Sequence, residues 1–438
     1  MEAAIAQMVE EAGADGVVDG LRFQSNASWV LSAYGEHRRA VDLALAAAET
    51  LRDQFGYRDA WSETQSIFTA LEEAGLDAEV ARLAGDLAET GRALIAAAET
   101  EDESSRLSWN LLSALTSYPE IQDTIAERML SYHFHDVQDQ EDLLRLMIGN
   151  ALETGNRARA LHLASVQIQL QRTCGVEPDW PEVARILAVT QPGPRRETAI
   201  AWARTHLAES WELPDWFADV ADDLAGLGDD EAAVHFYEQS LRVALSWEDP
   251  PVARLIARPA LGLSASGRCD LALPAANLAE LVDRAQRIRA RRARDEDVIV
   301  IDHVRGRDRT ASQVLLARAN CGQTRSAITA YFTEPDPDWR HFSTYVIDDI
   351  GRELGEGSNQ RAWYDAYAEF LARDHFSGVH AYRDDYFSDG LAFQSHVLRQ
   401  AGYFQLADDF LLAAWNFALR DNDWPADFAA IYAALPED

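Results

Sequence analysis

The stretch DLAGLGDDEAAVHFYEQSLRVAL, Asp223–Leu245, decides the fold. Gly228 follows an amphipathic run. Asp229 and Asp230 make a short acidic turn, Ala233 stands five residues past the glycine, and a second run, with the aromatic pair Phe236–Tyr237, ends at Leu245. Each part has a physical reason. A glycine just past a helix takes the left-handed conformation that closes it at little steric cost. A turn aspartate accepts from the free N–H groups of the next helix. A small alanine lets two helices cross closely. The stretch therefore predicts a helical hairpin.

Working outward, the same pattern recurs along the chain. It stands as GEHRRA (Gly35–Ala40), GNRARA (Gly155–Ala160), GRCDLA (Gly267–Ala272) and GQTRSA (Gly322–Ala327). GSNQRA (Gly357–Ala362) and GYFQLA (Gly402–Ala407) continue it, and GLDAEV (Gly75–Val80) is a weaker copy. SYPEIQDTIAE and GPRRETA fill the gaps near Ala126 and Ala199. The landmarks recur about every 40 residues, with one long interval between Ala272 and Ala327. Such a period is the signature of stacked supersecondary units, each burying the apolar face its neighbour leaves open. RAVDLALAAAETL, ARALHLASVQIQL and ADDFLLAAWNFAL carry apolar residues at helical steps. VIVIDHV, Val298–Val304, is the one β-like run, readable as a short strand or a buried helix start.

This pattern resembles the tetratricopeptide repeat family, most closely over Asp223–Leu245 and over Ala27–Leu51, and more unevenly from about 20 to 420. The small residue expected seven before the turn glycine is present as Ser28, Ala221, Ala260 and Ser395; Phe68, Ile148, Leu315 and Ile350 replace it elsewhere. The period exceeds the family's thirty-four, so other helical-hairpin solenoids stay open. The resemblance implies an all-α, right-handed superhelical solenoid of about ten antiparallel helical hairpins, whose first helices line a concave groove. Counting thirteen residues back from the turn glycines places Arg22, Asp142, Asp215, Arg254, Arg309 and Asp389 at that groove; the position three before it places Arg399, with His396 nearby. Arg22, Arg254, Arg309, His396 and Arg399 are thus the expected partner-binding residues.

The long interval divides the chain into an array over 1–280, an arginine-rich insert or long helix over 281–310, and further repeats over 311–438. The insert carries Arg284, Arg287, Arg291 and Arg294, a patch for an acidic partner or a phosphate, or else the solvated surface of a long helix. The segment 374–390 gathers His380, Tyr382 and Arg383 between two hairpins, as a contact loop or a structural connection. PDPDWRHFSTYVIDD (Pro335–Asp349) is weighted toward core, and SYHFHD (Ser131–Asp136) toward a helix end.

Composition bounds the function classes. The net charge of −34 opposes nucleic acid and anionic membrane surfaces. All basic residues, 39 of them, are arginine; genomic base composition is the plain account, and avoidance of lysine modification the second. No run approaches the length of a spanning helix, and MEAAIAQMVEEAG does not read as a signal peptide. Cys174, Cys269 and Cys321, far apart and odd in number, read as three buried thiols in a reducing cytoplasm. There is no phosphate loop, nucleophile elbow or paired-cysteine site, so neither cofactor nor metal is expected. The reading is a cytoplasmic, non-catalytic scaffold or adaptor for a protein or peptide, with an acidic partner suggested by the groove arginines. Its alternatives are a peptide-responsive regulator, a subunit of an enzyme or defence complex, and an acidic mimic of nucleic acid.

Overall fold

The computed structural model describes residues 20–21, 24–25, 27–28, 31–32, 37–50, 67–68, 70–72, 75–97, 101–115, 118–131, 137–208, 210–246, 252–292, 301–333, 347, 350–355, 357–374 and 388–421. Among them every regular element is a helix and none is a strand. The chain divides into two compact units, 1–134 with 371–438, and 135–370.

In the first unit lie α1 (His37–Thr50), α2 (Asp77–Ala97), α3 (Glu101–Ala114) and α4 (Pro119–Ser131). In the second come α5 (Val137–Glu153), α6 (Arg157–Thr173), α7 (Trp180–Thr190), α8 (Pro194–His206), α9 (Glu212–Gly226) and α10 (Asp230–Ser246). They continue as α11 (Ala253–Ala265), α12 (Cys269–Arg292), α13 (Ile301–Asn320) and α14 (Thr324–Thr333). Then follow α15 (Ser358–Asp374), α16 (Ser388–Gln400) and α17 (Phe404–Asp421), the last two forming a hairpin of the first unit. Residues 301–304 of the β-like run open α13, and 298–300 lie outside the described residues.

The hairpin of α9 and α10 shows why the sequence folds this way. Leu213, Trp216, Phe217, Val220, Ala221 and Leu224 form one buried face of α9, at the three- and four-residue steps of an amphipathic helix. Gly228 has φ +72°; its N–H donates to the carbonyl of Ala225, and the N–H of Asp229 donates to that of Leu224. This double closure satisfies two carbonyls left free at the helix end. Ala233, Phe236 and Tyr237 on α10 are buried, and Ser240 Oγ donates to the carbonyl of Pro214 at 2.8 Å. Burying a ring the size of Phe217 contributes roughly 2–3 kcal/mol.

The same glycine closure recurs at Gly75, Gly155, Gly267, Gly322 and Gly402. The small residues Ser28, Ala221, Ala260 and Ser395 are fully buried, and so are the landmark alanines 40, 126, 160, 233, 272, 327 and 407. One expectation is corrected. In GEGSNQRA the left-handed glycine is Gly355 rather than Gly357; Ala362 is exposed, and Trp363 takes the buried place, donating from Nε1 to the carbonyl of Ile347 at 2.8 Å. The extra turn residues move the register.

In the second unit, first helices pack on first helices: α7 on α9, α9 on α11, and α11 on α13. Ile256, Ala257 and Ala260 of α11 meet Ala275, Ala276 and Ala279 of α12 and Val314 and Ala317 of α13; the methyl side chains let three backbones approach. Arg318 is buried here and paired with Glu280 at 2.5 Å, with Asn277 Oδ1 accepting at 2.7 Å.

The cysteine expectation is also corrected. Cys269 and Cys321 form a disulfide, with Cα atoms 5.6 Å apart, and Cys174 is an exposed free thiol. The pair joins the start of α12 to the end of α13. Disulfides persist mainly in oxidising surroundings, so the cysteines lend no support to a reducing compartment. No helix among the described residues is long and apolar enough to cross a membrane.

Candidate functional site, a cavity on the first-helix face

A cavity of about 500 Å³ opens within the second unit, lined by Asp179 and Pro181 at the start of α7, Leu207, Trp211, and residues of α9, α11 and α13. The repeat register explains its makeup. Thirteen residues before the turn glycines 228 and 267 stand Asp215 and Arg254; nine before 228, 267 and 322 stand Asp219, Arg258 and Gln313. A four-residue step keeps the two rows on one helix face, and successive first helices bring the rows together.

Its charges are interlocked. Arg254 donates to Asp215 at 2.6 Å and Arg258 to Asp219 at 2.7 Å, while Arg258 also binds Asp222 through Nε at 3.0 Å. Burial alone would weaken the charge of Arg258, but Asp222 and Asp219 more than offset it and hold the guanidinium protonated. Burial raises Asp215 above the usual carboxylate range, against the pull of Arg254 and Arg258. Behind this layer Tyr237 donates to Asp222 at 2.6 Å, and burial followed by the Asp222 charge pushes its phenol up. Asp223 shares Arg185 with Glu182; burial drives Asp223 up to about 6, although Arg185 pulls the other way. Arg185 stays charged because its two carboxylates outweigh its burial.

At the mouth, Trp211 is 55% exposed, with the Arg254 guanidinium 5.8 Å from its ring centre. Trp216 is buried and donates to the carbonyl of Pro181 at 2.9 Å, which ties α9 to the start of α7. Gln313 is 9% exposed, and its Oε1 is buried with no hydrogen-bond donor among the described residues.

Of the expected groove residues, Arg254 lies in this cavity, but its charge is answered by Asp215 rather than left open. Arg309 lies on α13, which packs beside α11; its side chain and Arg22 lie outside the described residues. His396 and Arg399 belong to the first unit, on α16. His396 is mostly buried; burial, then the charge of Arg399, lowers it to about 4, so it is a neutral imidazole. Arg399 pairs with Asp408 across its own hairpin. Arg284 is exposed on α12; Arg287 and Arg291 continue that helix with side chains outside the described residues, where Arg294, His380, Tyr382 and Arg383 also lie. Trp211, Asp219, Arg258 and Gln313 were not among the expected residues.

A second, more apolar concavity of about 810 Å³ lies where α6 and α8 flank α7, lined by Leu161, Trp180, Val183, Leu187 and Trp202 with His206 stacked on Trp202. Among the described residues no group of three or more His, Cys, Asp or Glu side chains is placed to hold a metal ion.

No family model matches the chain, and no curated protein matches it. Among solved structures it is similar to a Rap protein complexed with Competence and Sporulation Factor, at 14% identity and TM-score 0.28, over 92% of this chain and 99% of that one. It is also similar to Naa15/Naa10 bound to HypK-THB, at 12% identity and TM-score 0.23, over 91% and 69%. A designed circular tandem repeat protein matches at 12% identity and TM-score 0.16, over 96% and 90%. The hairpins themselves carry the assignment: a glycine-closed first helix, a buried small residue before it, and a buried alanine opening the second helix. In these features the repeat resembles the tetratricopeptide unit. In these hairpins polar residues of successive first helices line the cavity.

Proposed function

We propose that the chain is a non-catalytic scaffold that holds a peptide segment of a protein partner in the cavity between α7, α9, α11 and α13. The observation that carries this reading is an exposed indole, Trp211, at the mouth of a cavity whose walls are braced by ion pairs. Exposed aromatics at the edge of a shaped concavity are the side chains that anchor partners. The lining holds no serine, threonine, cysteine or histidine that could act as a nucleophile, and its arginines are tied to aspartates. This supports binding over chemistry.

A photo-cross-linking side chain placed at Trp211, compared with one at the exposed Leu245 on α10, tests it. The expected result is one protein captured from the native host at 211 and not at 245, whose affinity for the purified chain falls at least about tenfold with Trp211→Ala. Equal capture at both positions, or unchanged affinity, contradicts the assignment.

A further inference from the structure

We propose that the group seated deepest in this cavity is a basic side chain of the partner peptide, an arginine or a lysine. This rests on the cavity's being the partner site. Three observations bear on its charge.

The first is the balance of charge. Asp179, Glu212, Asp215 and Asp219 line the cavity against Arg254 and Arg258. Both guanidiniums are already engaged, by Asp215 and by Asp219 with Asp222. Asp179 caps α7, accepting from the N–H of Glu182, and lies 3.6 Å from Arg145. The carboxylate of Glu212 makes no ion pair among the described residues. A cation entering would meet unspent negative charge, whereas an anion would have to pull an arginine from its aspartate.

The second is Gln313. Gln313 lines the cavity, and its Oε1 is a buried acceptor with no donor among the described residues; turning the amide about its last bond brings that oxygen to the cavity. An unmet buried acceptor is costly, and a charged N–H donor is its strongest complement.

The third is Trp211. The ring is held on Arg254 yet remains more than half exposed, so it can cover the aliphatic stem of a long basic side chain and present a π face to its head. The acidic partner suggested by the groove arginines is thereby disfavoured at this site.

The test uses the full chain and a random peptide library displayed on phage, counter-selected on Trp211→Ala. The expected peptides share an arginine or lysine at one position. Replacing that residue by citrulline, or by glutamine where it is lysine, weakens binding by calorimetry at least about tenfold. Gln313→Leu weakens the parent peptide to a similar degree while leaving the thermal midpoint unchanged or higher, since it removes an unsatisfied acceptor. Peptides that depend on Trp211 but lack a basic residue, or that tolerate citrulline, overturn the cation and leave the cavity as the partner site. Undiminished binding to Gln313→Leu removes that residue from the account. Failure to recover any peptide that depends on Trp211 overturns both the cavity assignment and this inference.

Discussion

Opening the Cys269–Cys321 bond is expected to cost the second unit a large part of its margin. The bond closes a loop of 52 residues. Chain-entropy reasoning assigns a loop of that size a stabilisation of about 4 kcal/mol at 25 °C, by restricting the unfolded chain. That is a large part of the roughly 5–15 kcal/mol by which domains are stable. The loop contains the whole of α12 beyond its first residue and all of α13, including Gln313 and the Arg318–Glu280 pair. Two assays check this. Thiol titration of the native chain should find one reactive thiol, Cys174, and three after reduction in denaturant. Urea unfolding followed by circular dichroism should show the 135–370 unit losing about 4 kcal/mol on reduction, matched by the Cys269→Ser, Cys321→Ser double variant. Three thiols in the untreated chain, or superimposable oxidised and reduced curves, would refute the reasoning.

Other perturbations follow from the same geometry. Asp223 holds its proton to about 6 in the folded chain, against 3.8 ordinarily. The folded state therefore binds more protons between those values, and stability from this group falls as pH rises from about 4 to about 6, by at most ~3 kcal/mol. Asp223→Asn should flatten that part of the urea-midpoint profile; an unchanged slope would reject the assignment. At Gly262 an added Cβ would sit 2.1 Å from the Tyr237 ring, so Gly262→Ala should push the ring off Asp222 and cost about 3 kcal/mol in thermal unfolding. In a Tyr237→Ala background the same change should cost little. Gly228→Ala meets no neighbour within 4 Å but carries φ +72°, so its cost should be the backbone alone, about 1–2 kcal/mol. Gly226→Ala, in the last turn of α9, should be neutral or slightly stabilising.

The hairpins were legible because glycine closure and small-residue packing are local: Gly228, Ala221 and Ala233 announce their roles within one repeat. The cavity was half legible. Arg254 and Asp215 follow from counting thirteen back from a turn glycine, and one helical turn further on, the same count reaches Asp219, Arg258 and Gln313. What the count could not supply was pairing. Whether Arg254 faces a ligand or Asp215 depends on the neighbouring first helix, 39 residues away. The disulfide was hidden for a related reason. Cys269 stands two residues after one turn glycine and Cys321 one before the next; the separation of 52 places them in no local motif, while the packing of α12 with α13 brings them together. Gly355 escaped because a second glycine two residues on fits the spacing equally well, and only backbone φ separates them.

The central claim is that a partner segment occupies the first-helix cavity of the second unit. Hydrogen–deuterium exchange on the full chain, with and without a display-selected peptide that depends on Trp211, tests it most directly. The account predicts slowed exchange in the first turns of α7, α9 and α11, around Asp179, Trp211 and Arg254, with α6 and α8 unchanged. Protection confined to α6 and α8, beside Trp202, would contradict it.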